Sequence, residues 1–130
     1  MNLQIKSEIA GDVTILSPHG DVDLSAAPEL RAVLSPILES DEPRLLVDLA
    51  GVSFMDSTGV GIMVNAFNRV HEKQGAIAFC APTPRVHRVL QISGLLLKLP
   101  VYETCEAALT ALETPSQGET VQPETSEATA

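Results

Sequence analysis

A buried strand followed by a polar turn and an amphipathic helix occupies the middle of this sequence. The run Arg44 to Leu49 is almost continuously apolar, which is typical of a strand covered on both faces. From Val60 onward, apolar residues recur every three or four positions, which predicts a helix from about Ser57 to Lys73. After a break at Gln74-Gly75, a further strand is expected at Ala76 to Cys80. This order predicts a parallel strand pair with a right-handed crossover.

The predicted helix begins at the polar turn Asp56-Ser57-Thr58-Gly59. The side chains of Asp56, Ser57 and Thr58 can each accept a hydrogen bond from the free N–H groups of a first helical turn. A carboxylate there also suits the positive end of the helix dipole. Capping is the commonest use of these residue types, so the turn alone leaves two interpretations open: a helix cap, or a functional site at the helix N-terminus.

Two strands are expected before this unit. Alternating apolar residues predict one strand at Leu3 to Ile9 and a second at Val13 to Ser17, joined by a tight turn as an antiparallel hairpin. Pro18-His19-Gly20 is expected to end the second strand.

A helix is expected after this hairpin, beginning near Leu24. Asp23 is a candidate N-cap, and Asp21 is expected to be solvated. Pro28 falls in the first turn, where the missing N–H costs nothing. Pro36 removes a hydrogen bond from the helix interior, so a kink or an early end is expected there.

The C-terminal part of the chain predicts two more helices and one strand. Thr83 can cap a helix that runs from Pro84 to about Ile92. Leu95 to Val101 is expected to be a strand. A final helix is expected to open at Glu103 or Thr104, with an inner side made of Cys105, Ala108, Leu109 and Leu112.

Charge and hydropathy exclude some functions. The chain has a net charge of −9, whereas nucleic-acid binding requires a basic surface. No direct contact with nucleic acid is therefore expected. No stretch approaches the roughly 20 consecutive apolar residues of a membrane-spanning helix, and the N-terminus lacks the layout of a signal peptide. We therefore expect a cytoplasmic protein with no membrane partner.

The cysteines and histidines give little sign of a metal or a disulfide. Cys80 and Cys105 have no paired spacing, and both are expected to be reduced. His19, His71 and His87 are scattered, and none stands at a metal-ligand spacing from another histidine or a cysteine. The sequence therefore predicts neither a metal site nor a cofactor.

Four segments together resemble a known family. Phe54 to Gly61 resembles the signature of the anti-sigma factor antagonists, which are bacterial members of the STAS family (sulfate transporter and anti-sigma factor antagonist). Gly20-Asp21-Val22-Asp23 resembles the Gly-acid-apolar-Asp segment of that family, with Asp21 where a glutamate is common. Cys80-Ala81 and Pro84 to Leu95 resemble its later strand, helix and Ser-Gly-Leu turn. The likeness covers about residues 3 to 112.

The resemblance implies the STAS fold, an α/β architecture. This fold has a single mixed β-sheet, with an N-terminal antiparallel hairpin followed by parallel strands, packed with about four α-helices. Residues 1–113 are expected to form this domain. Residues 114–130 are rich in Pro, Ser, Thr and Glu and are expected to be a disordered acidic tail.

The resemblance also implies a function. The unphosphorylated protein is expected to bind an anti-sigma factor with serine kinase activity and thereby free a sigma factor, and phosphorylation is expected to abolish this binding. Ser57 matches the phosphoacceptor of the family, with Thr58 as second choice, and a serine phosphatase would reset the system. The expected partner-binding residues are Asp21, Asp23, Asp56, Ser57, Thr58 and Gly59.

Two other functions share features with this sequence. Asp56-Ser57-Thr58-Gly59 resembles the turn of aspartic proteases, but Gly59 comes one residue too late, and a serine hydrolase would require a glycine-flanked Ser57 with a histidine base. No enzyme is therefore expected. The alternative is a STAS scaffold subunit of a membrane lipid-transport or stressosome-type complex, which fold-level likeness alone does not exclude.

Overall fold

The computed structural model describes residues 3–113, which contain six strands, four α-helices and one 3₁₀ turn. In chain order these are β1 (Gln4–Ala10), β2 (Val13–Val22), α1 (Ala27–Glu39), β3 (Arg44–Asp48), β4 (Val52–Met55), α2 (Ser57–Glu72), β5 (Ala76–Cys80), α3 (Pro84–Ile92), the 3₁₀ turn (Leu95–Leu97), β6 (Val101–Tyr102) and α4 (Cys105–Glu113).

The strands form one mixed sheet in the order β1-β2-β3-β5-β6, and β4 pairs with the C-terminal end of β2. Strands β1 and β2 are antiparallel, and every other pair is parallel. The expected fold class is therefore confirmed, including the hairpin and the parallel pair formed by β3 and β5.

Helices cover both faces of the sheet. Leu45 and Val47 of β3 pack into a large core with α1, α2 and α3, whereas Leu46 packs into a second, smaller core with α4. All three side chains are at most 1% exposed. Their burial explains the continuous apolar run of β3, because a strand covered on both faces has no solvent-facing position. Each such side chain contributes roughly 1.5–3 kcal/mol relative to an exposed one.

Strand β2 is longer than the sequence predicted. It continues to Val22 instead of ending at Ser17. Pro18 has no N–H to donate, but it lies between the segment that pairs with β3 (14–16) and the segment that pairs with β4 (20–22). The proline therefore falls where β2 changes its parallel partner, and it does not end the strand.

Helix α1 also differs from the prediction at both ends. It begins at Ala27, and its N-cap, Ala26, makes no side-chain cap. Asp23 instead closes a turn just before the helix, so the expected N-cap at Asp23 was wrong. The helix continues past Pro36 to Glu39, so of the kink or early end expected there, the early end was wrong.

Pro36 is tolerated because of its place in α1. It lies within the last turn, so only three residues of the helix follow the missing hydrogen bond. Leu38, two residues later, is only 3% exposed and holds the end of the helix on the core. Pro28 stands in the first turn, as expected.

The segment after α3 contains the largest error in the predicted secondary structure. Leu95 to Val101 was expected to be a strand, but Leu95–Leu97 forms a 3₁₀ turn and only Val101–Tyr102 is strand. The three consecutive leucines do not alternate as a strand would, and Leu97 is 96% exposed. Pro100 then has no N–H, although its carbonyl accepts a hydrogen bond from the N–H of Phe79 at 2.9 Å.

The cysteines were also predicted wrongly. Cys80 and Cys105 form a disulfide, whereas both were expected to be reduced. Their Cα atoms are 4.9 Å apart because the end of β5 meets the start of α4. The two cysteines are 25 residues apart, and that spacing does not reveal a contact that arises only from tertiary packing.

The expected acidic tail, residues 114–130, lies outside the described residues. Within residues 3–113, no helix combines the length and apolar character that crossing a bilayer requires.

Candidate functional site

Asp56 is the residue between β4 and α2, and it caps α2 as expected. Its backbone is extended, with φ of −101° and ψ of −171°, and its Oδ1 accepts a hydrogen bond from the N–H of Gly59 at 3.0 Å. This satisfies one of the N–H groups that a helix leaves free in its first turn. The cap therefore fixes the point at which the backbone turns from strand to helix.

The other carboxylate oxygen of Asp56 reaches a different part of the chain. Oδ2 accepts a hydrogen bond from the N–H of Leu24 at 3.2 Å, and the N–H of Asp56 donates to the carbonyl of Val22 at 3.3 Å. Met55, the last residue of β4, pairs with Val22 in the sheet. The loop that follows β2 is thus held against the start of α2, and the two predicted site segments lie side by side.

Gly59 allows this close packing. A Cβ atom built on Gly59 would lie 2.5 Å from the carbonyl oxygen of Val22 and 2.7 Å from Cγ of Met55. Both distances are too short for a real Cβ, so a side chain here would have to displace the backbone of β2 at Val22 and the side chain of Met55. The first turn of α2 therefore sits directly on β2, and only glycine fits at this position.

Ser57 and Thr58 occupy the first two positions of α2. The side chain of Ser57 is exposed and that of Thr58 is half-buried. Within residues 3–113, neither hydroxyl takes part in a hydrogen bond with another protein group. First-turn N–H groups such as theirs have no intrahelical acceptor. Ser57 therefore presents an accessible nucleophilic hydroxyl at the positive end of a 16-residue helix.

Asp21 lies at an irregularity in the strand pairing. The register between β2 and β4 shifts between Gly20 and Asp21, and Gly20 has a φ of +121°, a value that favours glycine. Asp21 is half-buried and stands opposite Phe54 of β4. The bulge thus directs Asp21 onto the same part of the surface as the strand that leads into the turn.

Asp23 organises the loop between β2 and α1. Its Oδ1 accepts hydrogen bonds from the hydroxyl of Ser25 at 2.9 Å and from the N–H of Ala26 at 3.1 Å. The Ser25 hydroxyl is the larger cause, and the Ala26 N–H the next, of a pKa for Asp23 below its ordinary value of 3.8. Asp23 is therefore ionised at neutral pH, and its loop is held in a fixed conformation.

These segments give the surface around Ser57 a negative charge. Asp21, Asp23 and Asp56 all lie in the two adjoining segments, and within residues 3–113 none of them forms an ion pair with a lysine, arginine or histidine. With no basic side chain paired to them, these carboxylates would repel any further negative charge placed here.

Two exposed apolar side chains adjoin the turn and were not selected from the sequence. Leu24 is 71% exposed and Phe54 is 37% exposed. Leu24 follows Asp23 and donates its N–H to Asp56, while Phe54 precedes Asp56 by two residues. The sequence did hold a signal, because Leu24 is a large apolar residue between the polar Asp23 and Ser25. Exposed apolar groups rimmed by polar residues are typical of protein interfaces.

The chain is similar to known proteins over most of its length. The family model of the STAS domain matches residues 4–108. The anti-sigma F factor antagonist of Paenibacillus polymyxa is 32% identical over 114 residues, which are 87% of this chain and 97% of that protein. The anti-sigma-B factor antagonist of Staphylococcus epidermidis is 31% identical over 106 residues, covering 82% of this chain and 98% of that protein.

A solved structure gives the same result. An anti-sigma factor antagonist from Mycobacterium paratuberculosis superimposes with a TM-score of 0.79 and 27% identity, covering 85% of this chain and 94% of that one. The chain therefore belongs to the STAS-domain family, and the relatives named here are anti-sigma factor antagonists.

Proposed function

We propose that this protein is an anti-sigma factor antagonist controlled by phosphorylation of Ser57. In its unphosphorylated form it binds an anti-sigma factor that is also a serine kinase, and this binding frees a sigma factor. The same kinase then phosphorylates Ser57, which ends the binding, and a serine phosphatase restores the hydroxyl. In this scheme the protein is a substrate and a regulator, and it supplies no catalytic group.

The observation that carries the proposal is the exposed hydroxyl of Ser57 beside three carboxylates with no ion-pair partner within residues 3–113. A kinase needs an accessible hydroxyl, and Ser57 offers one at the first position of α2. Thr58, the second choice, is half-buried and therefore less accessible. The relatives support the choice of partner, because they are named as antagonists of anti-sigma factors.

Phosphorylation would set two electrostatic effects against each other. A phosphate adds about −1.5 to −2 charge units, and a helix N-terminus favours such an anion by roughly 0.3–1 kcal/mol at the surface. Repulsion between like charges brought together in an interface costs several kcal/mol, which is larger. The fold therefore keeps its structure, and the complex with the partner is lost.

The partner surface extends beyond the polar turn in this proposal. Leu24 and Phe54 supply exposed apolar contact beside the turn. The N–H of Leu24 donates to Asp56, and Phe54 pairs with Asp21 in the sheet. Asp21, Asp23 and Asp56 supply acceptors and negative charge, which suit a partner with basic or N–H donor groups. Gly59 takes part by allowing the close packing that sets this geometry.

Binding to a purified anti-sigma factor kinase tests the proposal. The Ser57→Ala variant is expected to bind as the wild type does and to stay bound in the presence of ATP. The Ser57→Asp variant is expected to bind more weakly by on the order of 100-fold, which corresponds to a few kcal/mol. Ser7→Asp is the matched control, because it adds the same charge at an exposed position of β1.

Two outcomes would contradict the proposal. Equal affinity of the Ser57→Asp and Ser7→Asp variants would show that charge at Ser57 does not control binding. Failure of the wild type to bind an anti-sigma factor, together with co-purification of a membrane ATPase, would favour a scaffold role instead.

A further inference from the structure

A second group of reactive side chains lies where β3, β5 and α4 meet. Asp48 ends β3, Cys80 ends β5 and Cys105 begins α4. Asp48 and Cys80 are partners in the parallel pairing of β3 with β5, which places their side chains on the same face of the sheet. That face is covered by α4. One potential ligand atom from each of the three residues lies within 4.8 Å of the other two.

We propose that Asp48, Cys80 and Cys105 form a zinc site when the disulfide is reduced. Two thiolates and a carboxylate are ligands that Zn²⁺ accepts in tetrahedral sites, and a water molecule would take the fourth position. The disulfide and the metal exclude each other, since both use the same two sulfur atoms. The redox state of the pair therefore decides whether the ion binds.

The positions of the two sulfurs define how reduction proceeds. Cys80 is fully buried, whereas Cys105 is half-buried at the start of α4. A thiolate of a dithiol reductant attacks Sγ of Cys105, breaks the S–S bond and releases Cys80 as the leaving thiolate. The second thiolate of the reductant then displaces Cys105 and closes a disulfide within the reductant. Two electrons pass to the protein, and two protons complete its thiols.

Metal binding then replaces these protons. Zn²⁺ coordinates the two sulfurs as thiolates, so two protons are released for each ion bound. The three anionic groups would repel one another at such short separations, and a divalent cation compensates this repulsion. Oδ1 of Asp48 accepts the N–H of Ala50 at 3.0 Å, and a hydrogen bond of this kind helps to hold a metal-ligating carboxylate in place.

Helix α4 has other contacts that keep the three ligands together after reduction. Ala108 and Leu112 are at most 4% exposed and pack in the smaller core against the sheet. The guanidinium of Arg44 donates a hydrogen bond to the carbonyl of Leu112 near the end of α4. The thiols of Cys80 and Cys105 therefore stay close after the bond between them is broken.

Titration with Co²⁺, a spectroscopic substitute for Zn²⁺, tests the proposal. The full chain is reduced with a dithiol, the reductant is removed under anaerobic conditions, and the metal is added. The expected result is one equivalent of Co²⁺ bound, with thiolate-to-cobalt charge-transfer absorption and the visible bands of tetrahedral Co²⁺. Zn²⁺ should displace the Co²⁺, because it binds such sites more tightly. The oxidised protein should show neither set of bands.

Three variants assign the ligands. Cys105→Ser is expected to lose the absorption. Asp48→Asn keeps both thiols, and it is expected to weaken binding by at least the roughly 10–100-fold that loss of an outer-shell partner causes. Asp41→Asn, a change of an exposed carboxylate before β3, is the matched control and should bind as the wild type does.

The absence of these bands from the reduced wild type would overturn the proposal, as would equal binding by the Asp48→Asn variant or by the oxidised protein. If Cys105→Ser fails to fold, judged by circular dichroism, the comparison of Asp48→Asn with Asp41→Asn in the reduced state decides the question. A second readout is thermal unfolding, in which Zn²⁺ should raise the Tm of the reduced protein and leave that of the oxidised protein unchanged.

Discussion

The carboxylate of Asp56 accepts the N–H of Leu24 at 3.2 Å, across 32 residues of sequence. The same carboxylate caps α2 through the N–H of Gly59. One side chain therefore sets the start of the helix and holds the neighbouring loop against it. Removing this side chain should affect both the stability of the fold and the shape of the proposed partner surface.

The change Asp56→Ala is expected to lower the free energy of unfolding by about 0.5–2 kcal/mol, the usual cost of losing an N-cap. Asp56→Asn should keep the cap on the N–H of Gly59 through its amide oxygen but lose the bond from the N–H of Leu24, because the amide nitrogen only donates. Its stability should therefore lie between those of the wild type and Asp56→Ala. Urea unfolding followed by circular dichroism measures both. Asp41→Ala, at an exposed loop position, is the control. Equal stability of Asp56→Ala and Asp41→Ala would show that the cap contributes nothing.

Gly59 and Gly61 lie two residues apart in α2 and should respond in opposite ways to alanine. A Cβ at Gly59 would meet the carbonyl oxygen of Val22 at 2.5 Å, so Gly59→Ala should destabilise the fold by roughly 1–3 kcal/mol, as overpacking does. A Cβ at Gly61 meets nothing within 4 Å. Gly61→Ala should therefore leave stability unchanged or raise it by up to about 1 kcal/mol, since alanine favours a helix.

Unfolding in urea compares these two glycine variants directly. A Gly59→Ala protein as stable as Gly61→Ala would contradict the tight packing of α2 on β2. Binding measured on the same pair adds to this test, because displacement of β2 would also move the loop that carries Asp23.

Ser25→Ala should raise the pKa of Asp23 toward its ordinary value of 3.8, because the Ser25 hydroxyl is the largest cause of its lowered pKa. A lowered pKa in the folded state means that ionised Asp23 stabilises the fold at pH values above 3.8. This contribution is lost as the pH falls through the lower pKa of the folded state. In Ser25→Ala the contribution should be smaller, because the pKa of Asp23 in the folded state lies closer to its ordinary value.

An NMR titration of the Asp23 carboxyl carbon measures this pKa in each protein. Ser40→Ala serves as control, because the hydroxyl of Ser40 donates to the carbonyl of Ile37, at the other end of α1. An Asp23 pKa that is the same in the wild type and in Ser25→Ala would refute the assigned cause.

The centre of the site was predictable from sequence because its determinants are local. The cap at Asp56 depends on residues within one helical turn, and so does the cap at Thr83, whose hydroxyl oxygen accepts the N–H of Val86. The spacing of apolar residues that predicts α2 and the short apolar run that predicts β5 also lie within the elements themselves. Each was predicted close to its observed position.

The remaining features depend on contacts between distant segments, and sequence patterns do not record them. The bond from Leu24 to Asp56 and the disulfide between Cys80 and Cys105 both join parts of the chain that meet only in the folded sheet. Pro18 would end an isolated strand. It is tolerated in β2 because it lies between the residues that pair with β3 and those that pair with β4. In each case the tertiary arrangement decided the local structure.

Phosphate mapping on the wild type tests the central claim most directly. The protein is incubated with ATP and its anti-sigma factor kinase, and intact and peptide mass spectrometry is combined with a pull-down of the complex. We predict one phosphate, on Ser57, and loss of the complex in proportion to its occupancy. A phosphate on Thr58 instead, or a complex that persists with Ser57 fully phosphorylated, would contradict the account.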